Sequence, residues 1–197
     1  MRIGIVGLGD IARKAYLPIL SALGDVELVL CSRNRDELAR TAARHRIGHF
    51  TSNIAELAGL QVVAAFVHTA TESHEAVVGE LLRQGVHVYV DKPLAYTAAA
   101  ATRMVAIAES HRCQLMSGFN RRYAPMYAAL AQQPERRLVI LQKHRPRLVD
   151  VTRRVIFDDF IHVVDTLRFL ARTDRDGQSQ RRDSRRRLAP RAAASRR

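Results

Sequence analysis

The segment Ile3-Gly4-Ile5-Val6-Gly7-Leu8-Gly9-Asp10-Ile11-Ala12 has the residue types and spacing of a phosphate-binding turn, G-x-G-x-x-A. It directly follows an apolar run and opens a helical pattern. Each small residue has a physical reason. Gly7 permits the tight turn, Gly9 lets the backbone approach a pyrophosphate, and Ala12 lets the helix pack closely on the strand. The pyrophosphate then meets free N–H groups at the helix N-terminus, where Asp10 and Ile11 stand. A glycine-rich turn without a ligand is the alternative. The strand before it and the helix after it favour the dinucleotide reading.

The end of the second strand selects the cofactor. An NAD site places an acid there to bind the ribose hydroxyls. This chain reads Cys31-Ser32-Arg33-Asn34-Arg35, with no acid at that place. Ser32 and Arg33 suit a 2′-phosphate, because a guanidinium presents paired N–H donors and stacks on adenine. NADP is therefore expected, with NAD as the second choice. The alternative for these residues is a solvated basic helix start.

The elements that must hold these residues are legible in the hydropathy pattern. Apolar runs at 2–6, 26–31, 62–67, 86–90 and 114–116 are rich in Val and Ile and read as strands buried on both faces. Between them lie helical patterns at 11–22, 35–44, 73–84 and 97–111. Alternation of this kind predicts βαβ units, hence an α/β fold with a doubly wound parallel sheet of the Rossmann type. Pro18 is expected to kink or divide the first helix, and Gly85 to end the third. Beyond Gly118 the pattern predicts a short helix at 124–132, a strand at 138–143 and an amphipathic helix at 158–170. This opens an α+β second domain that stops soon after it starts. The domain reading is 1–120, 121–171 and a basic tail, 172–197.

Charge is concentrated in that tail. The whole chain carries +13, of which the tail contributes +7 from ten Arg and three Asp. Lacking apolar periodicity, it is expected to be disordered. Ten arginines give salt-sensitive attraction to phosphate, yet no interleaved aromatics or reading motif accompany them, so no specific nucleic-acid partner is expected. Cys31 and Cys113 have neither metal nor redox spacing, so no metal is expected. No secretory signal or membrane-spanning run is read, and a cytoplasmic location is expected.

Three further segments complete a wider pattern: Val90-Asp91-Lys92-Pro93-Leu94, Gly118-Phe119-Asn120-Arg121-Arg122-Tyr123, and Asp158-Asp159-Phe160-Ile161-His162-Val163-Val164-Asp165. Together with the N-terminal turn they resemble the Gfo/Idh/MocA family of oxidoreductases, and in particular its MviM-like branch, from Arg2 to about Leu170. The resemblance implies a Rossmann domain followed by a domain with a large open antiparallel sheet. It also implies hydride transfer between NAD(P) and a sugar, cyclitol or related hydroxyl or carbonyl substrate, and homo-oligomers among full-length members.

By the same resemblance, Lys92 sits beside the nicotinamide and the substrate hydroxyl as a proton-transfer group. Asp91 replaces the family's Glu and contacts Lys92 or the nicotinamide ribose. The segment His68-Thr69-Ala70-Thr71 and His74 fall where the family touches the cofactor, and Asn120 and Arg121 reach its nicotinamide side. His162 is the candidate proton shuttle. Asp158, at i−4, shares its helix face and binds substrate or tunes the lysine, while Asp165, at i+3, orients the ring. Taken singly, Lys92 reads as an exposed turn lysine and His162 as a packed histidine; their joint occurrence carries the functional reading.

The family's second domain extends further than this chain. The shift in composition at about Arg172 resembles out-of-frame translation of a GC-rich gene, which the coding DNA would settle. An incomplete second sheet would impair turnover more than cofactor binding. The competing reading is a dinucleotide-binding protein without activity, either a relic or a sensor.

Overall fold

The computed structural model describes residues 1–134, 138–147 and 149–171. Six strands form one all-parallel sheet: β1 (Arg2–Val6), β2 (Glu27–Cys31), β3 (His49–Thr51), β4 (Val62–Val67), β5 (His87–Val90) and β6 (Leu115–Ser117). Their spatial order is β3-β2-β1-β4-β5-β6. The order reverses beside β1, and that reversal opens a crevice at the carboxyl ends of the strands. The α/β, doubly wound expectation is therefore correct. The strand β3 was not legible. At three residues, His-Phe-Thr, it is too short to carry a period, and it lies at the edge of the sheet.

Helices cover both faces. The first is divided, as Pro18 requires: a wide π turn (Ala12–Tyr16) leads into α1 (Leu17–Leu20), with Pro18 in the first turn of α1, where its missing N–H costs no helical bond. Next come α2 (Arg35–His45), α3 (His74–Arg83) and α4 (Ala98–Ser110). Their starts follow capping chemistry. Asn34 accepts from the Glu37 N–H at 3.1 Å, and Thr97 accepts from the Ala100 N–H at 3.2 Å. Gly85 follows α3 at φ +79°, the left-handed conformation that ends a helix.

Two apolar cores result, one on each face of the sheet. One packs Val67, Val88 and Val90 with Leu81 and Leu82 of α3 and Met104 of α4. The other packs Ile3, Ile5 and Leu30 with Ala12, Leu17 and Leu38. The runs of β1 and β2 are uninterrupted because both faces are buried.

Packing divides the chain into two units. The first comprises Met1–Phe119 with Thr152–Asp158, and the second comprises Asn120–Val151 together with the segment from Asp159. The second unit holds a 3₁₀ turn (Asn120–Tyr123), α5 (Pro125–Ala131) and α7 (Ile161–Ala171), which α6 (Thr152–Arg154) and a π segment (Val155–Phe160) precede in the chain. The expected strand at 138–143 is absent: the described residues 138–147 form neither strand nor helix. A strand exists only by pairing, and no described strand pairs with this run. The helix expected to start at Asp158 begins six residues earlier, and Asp158 lies in its π segment. The tail reading at 172–197 falls outside the described residues.

Candidate cofactor and active site

The carboxyl ends of β1, β2 and β4 frame a crevice of about 760 Å³ within the first unit. Its wall includes Gly7, Gly9, Ser32, Arg33, Thr69 and Ala70, six of the residues expected at the cofactor. The turn is built as the sequence demands. Gly7 has φ +88°, and a Cβ there would lie 2.9 Å from the His68 carbonyl carbon. Its N–H donates to the Cys31 carbonyl at 2.9 Å, which ties the turn to the end of β2. Ala12 is fully buried against the strand. Asp10 and Ile11 stand at the head of the helix, outside the crevice wall. The Asp10 carboxylate is turned to Lys14 at 2.7 Å.

Asn34, Ser52, Asn53, Ile54, Glu72 and Ser73 also line the crevice and were not singled out from the sequence. Ser52 and Asn53 follow β3, so missing that strand hid them. Asn34 was legible as part of the run after β2.

Residues 1–119 match the family described as "Oxidoreductase family, NAD-binding Rossmann fold". The chain belongs to the Gfo/Idh/MocA family. Among its relatives, YceM of Salmonella typhimurium is 45% identical over 175 residues, which covers 87% of this chain and 56% of that protein. A Gfo/Idh/MocA family oxidoreductase from Vibrio cholerae superposes with TM-score 0.77 at 37% identity, covering 86% of this chain and 56% of that one. KijD10, a 3-ketoreductase from Actinomadura kijaniata solved with NADP and TDP-benzene, gives TM-score 0.62 at 30% identity, covering 66% of this chain and 41% of that one. This chain thus spans little more than half the length of YceM.

The Gfo/Idh/MocA motif after β5 is held by a web of bonds within the first unit. Lys92, whose peptide bond to Pro93 is cis, donates from Nζ to the main-chain oxygen of Asp158 at 2.6 Å. The Asp158 carboxylate accepts from the Tyr96 hydroxyl at 2.9 Å, and Thr71 Oγ1 stands 3.5 Å from its other oxygen. The Tyr96 ring meets Phe157 edge-on at 5.8 Å, and Arg153 stacks on Phe157 at 5.1 Å while donating to the Tyr96 carbonyl at 2.6 Å. Burial first, then the bond to Asp158, pushes the Tyr96 phenol above its ordinary range. The contact from Asp158 to the lysine is therefore made by its backbone. Tyr96 was not legible as a site residue, because nothing in its local sequence marks a partner 62 residues away.

Two of the expected cofactor residues have partners within the protein. Asp91 was expected at Lys92 or the ribose, but its carboxylate accepts from His68 Nδ1 at 2.8 Å. His74 was expected at the cofactor, but its ring is buried, with Nδ1 3.0 Å from the Pro93 carbonyl and Nε2 3.0 Å from the Thr69 carbonyl. His74 braces the loop after β4 against the loop after β5 and does not line the crevice.

The remaining candidates lie in the second unit. Asn120 and Arg121 form the 3₁₀ turn, with Asn120 exposed. His162 is half-buried on α7. Asp165, expected to orient it, is engaged through both carboxylate oxygens by Arg122, with Nε at 2.8 Å from Oδ2. Arg122 also stands 5.9 Å over the Phe169 ring.

Burial pushes the Cys31 thiol up to about 11, with Glu56 adding to the effect, and burial also raises the Cys113 thiol. Raised thiols are poor nucleophiles. Among the described residues no group of His, Cys, Asp or Glu has the arrangement to hold a metal, and no helix is long and apolar enough to cross a membrane.

Proposed function

We propose that the crevice binds NADP and that the chain carries the cofactor domain of an oxidoreductase acting on a sugar, cyclitol or related hydroxyl or carbonyl compound. The observation that carries this reading is the juxtaposition of the Gly7–Gly9 turn with Ser32 and Arg33 in one crevice. The residues fit the dinucleotide. Gly7 allows the tight turn at φ +88°, where a side chain would meet the His68 backbone, Gly9 leaves its surroundings open, and the turn heads a helix whose N-terminus attracts anions. Arg33 and Ser32 suit the 2′-phosphate that distinguishes NADP from NAD. The complex of KijD10 with NADP and the lack of an acid after β2 both support that choice. NAD is the second choice at the same site.

The nicotinamide, when bound, supplies the hydride donor or acceptor. The residues of this chain supply position and proton transfer. Lys92, anchored on the Asp158 carbonyl, donates a proton from its ammonium to a carbonyl oxygen in reduction; in oxidation the neutral amine takes the proton from the substrate hydroxyl. His162 is the second proton-transfer candidate, and Asp158 is the candidate substrate or lysine-tuning group. The whole activity belongs to a longer protein among the relatives, so the hydride-transfer assignment for this chain is a proposal. It is expected to bind NADP better than it turns over.

Calorimetric titration of the folded chain with NADPH and with NADH tests the cofactor reading. Tight NADPH with weak NADH supports it. Preference for NADH overturns the choice of NADP, and a folded chain that binds neither overturns the cofactor claim.

A further inference from the structure

A second pocket, of about 290 Å³, lies on the first unit and shares no lining residue with the crevice. One wall is α2. Glu37, Arg40, Thr41, Arg44 and His45 follow the spacing i, i+3, i+4, i+7, i+8, which sets them along one side of the helix. The other wall is Arg13, in the π turn that follows the Gly7–Gly9 segment.

A polar stripe on a helix is ordinarily a solvated face. This one differs in its charge, its unpaired arginines and its buried hydroxyl. Arg13, Arg40 and Arg44 stand against a single acid, Glu37, which Arg13 already engages at 2.9 Å. Counting His45 as neutral, the wall carries +2. Arg40 and Arg44 have no ion-pair or hydrogen-bond partner among the described residues. That holds although Asp36 precedes Arg40 by four residues, the spacing at which a helical acid–base pair forms. Arg40 and Arg44 are themselves four apart, where like charges repel, and an anion between them removes the repulsion. Thr41 is only 6% exposed, yet its hydroxyl has no hydrogen-bond partner among the described residues, and it borders the pocket. A polar group so placed is uncommon and marks where a bound group completes it.

Guanidinium groups present paired N–H donors that match phosphate oxygens. Two of them unpaired, beside a hydroxyl donor and a net charge of +2, match a phosphate dianion. The space exceeds what one phosphate fills, since a water molecule's share is about 30 Å³, so a small organic group on the phosphate has room.

We propose that this pocket binds a phosphate dianion, free or as the monoester of a small metabolite. Arg40 and Arg44 hold its oxygens, the Thr41 hydroxyl donates to another, and Arg13 faces it from the opposite wall. The proposal does not rest on the reading of the crevice as an NADP site. It gives α2 two tasks: its N-cap, Asn34, lines the crevice, and its later turns hold the anion.

The test is calorimetric titration of the full chain with inorganic phosphate and with glycerol 3-phosphate, in about 0.1 M sodium chloride, which screens loosely held anions. The wild-type chain is expected to bind at least one of them with a Kd of about 1 mM or tighter. Arg40→Gln combined with Arg44→Gln is expected to weaken that binding by more than about tenfold, as loss of charge-assisted hydrogen bonds does. Thr41→Val is expected to weaken it about threefold with the thermal midpoint unchanged or raised, because the hydroxyl has no partner in the free protein to lose. NADPH affinity is expected to stay within about twofold in both variants. Equal affinity for the two probes assigns free phosphate, and tighter glycerol 3-phosphate assigns an ester. A wild-type chain that binds neither probe overturns the proposal, as does binding that survives the arginine variant or phosphate that NADPH displaces. NADPH affinity falling in step with phosphate affinity in the arginine variant also overturns it, since the arginines would then belong to the cofactor's site. A chain that binds phosphate through Arg40 and Arg44 but binds no NADPH retires the cofactor reading and leaves this proposal standing.

Discussion

The ammonium of Lys92 donates to the main-chain oxygen of Asp158 at 2.6 Å, while the side chain of Asp158 is held by Tyr96 at 2.9 Å. The two residues are 66 positions apart in sequence and meet within one packing unit. A main-chain carbonyl carries no net charge. It orients the ammonium without the ion pairing that a carboxylate would impose. The Asp158 carboxylate stays committed to the tyrosine and stands near Thr71.

Lys92→Met should therefore separate binding from chemistry. The substitution keeps most of the stem and removes the ammonium. NADPH affinity is expected to change by less than about threefold, whereas kcat for any polyol or sugar that the chain turns over should fall by about 10²–10⁴, the range for a lost proton-transfer group. Steady-state kinetics beside calorimetry measure the split. A fall in NADPH affinity with kcat intact would remove Lys92 from proton transfer.

Arg33→Ala should reverse the cofactor preference. A charge-assisted pair with a phosphate contributes about 1.5–3 kcal/mol, so NADPH should bind about 10- to 150-fold more weakly while NADH changes little. Equal weakening of both would show that Arg33 acts on a part of the cofactor that the two share.

Gly7→Ala should damage the turn itself. At φ +88° the new Cβ would stand 2.9 Å from the carbonyl carbon of His68, which is backbone and has little room to yield. Strain of this kind costs about 1–3 kcal/mol. The expected outcome is a lower thermal midpoint together with NADPH binding weakened by more than tenfold. An unchanged midpoint would mean that the backbone relaxes at no cost.

What could be read in the sequence was local. The turn at Gly7 and Gly9, the basic pair at Ser32 and Arg33, and Thr69 with Ala70 lie within a few residues of a strand end, and the strand ends build the crevice. What could not be read was pairwise. Asp91 and His68 are 23 residues apart, and His74 and Pro93 are 19 apart, so neither partnership leaves a periodic trace. The edge strand β3 took its lining residues Ser52 and Asn53 with it. The run at 138–143 shows the opposite failure: its apolar residues suit a strand, but a strand also needs a neighbour to pair with.

Arg122→Ala should loosen the second unit. The guanidinium engages both oxygens of Asp165, whose side chain is 7% exposed, and covers the Phe169 ring. Removing one partner strands a buried charge and typically costs about 3–5 kcal/mol. Amide hydrogen exchange along α7 is expected to accelerate in the full chain, and Asp165→Asn combined with Arg122→Ala should recover part of the loss. Unaltered exchange on α7 would show that the pair contributes nothing to that helix.

Alkaline pH should destabilise the first unit through two weak acids, the buried Cys31 and the half-buried Tyr16. Burial raises the Cys31 thiol from 9.0 to about 11. Burial, reinforced by the hydrogen bond to Tyr89 and the nearby Asp91, holds the Tyr16 phenol far above its ordinary 10.0. In both cases the unfolded chain releases a proton that the folded chain keeps. The unfolded state then binds fewer protons, and stability falls as pH rises. The contribution of Cys31 is complete below about pH 9 and is lost progressively towards about pH 11. Tyr16 adds a loss that begins near pH 10 and continues upward. Each group steepens the decline by at most about 1.4 kcal/mol per pH unit. Urea midpoints across this range should fall steeply in the wild-type chain. Cys31→Ala should flatten the curve between about pH 9 and 11, and Tyr16→Phe the part above 10. Both variants losing stability in parallel with the wild-type chain at every pH would show that neither group governs the alkaline limb.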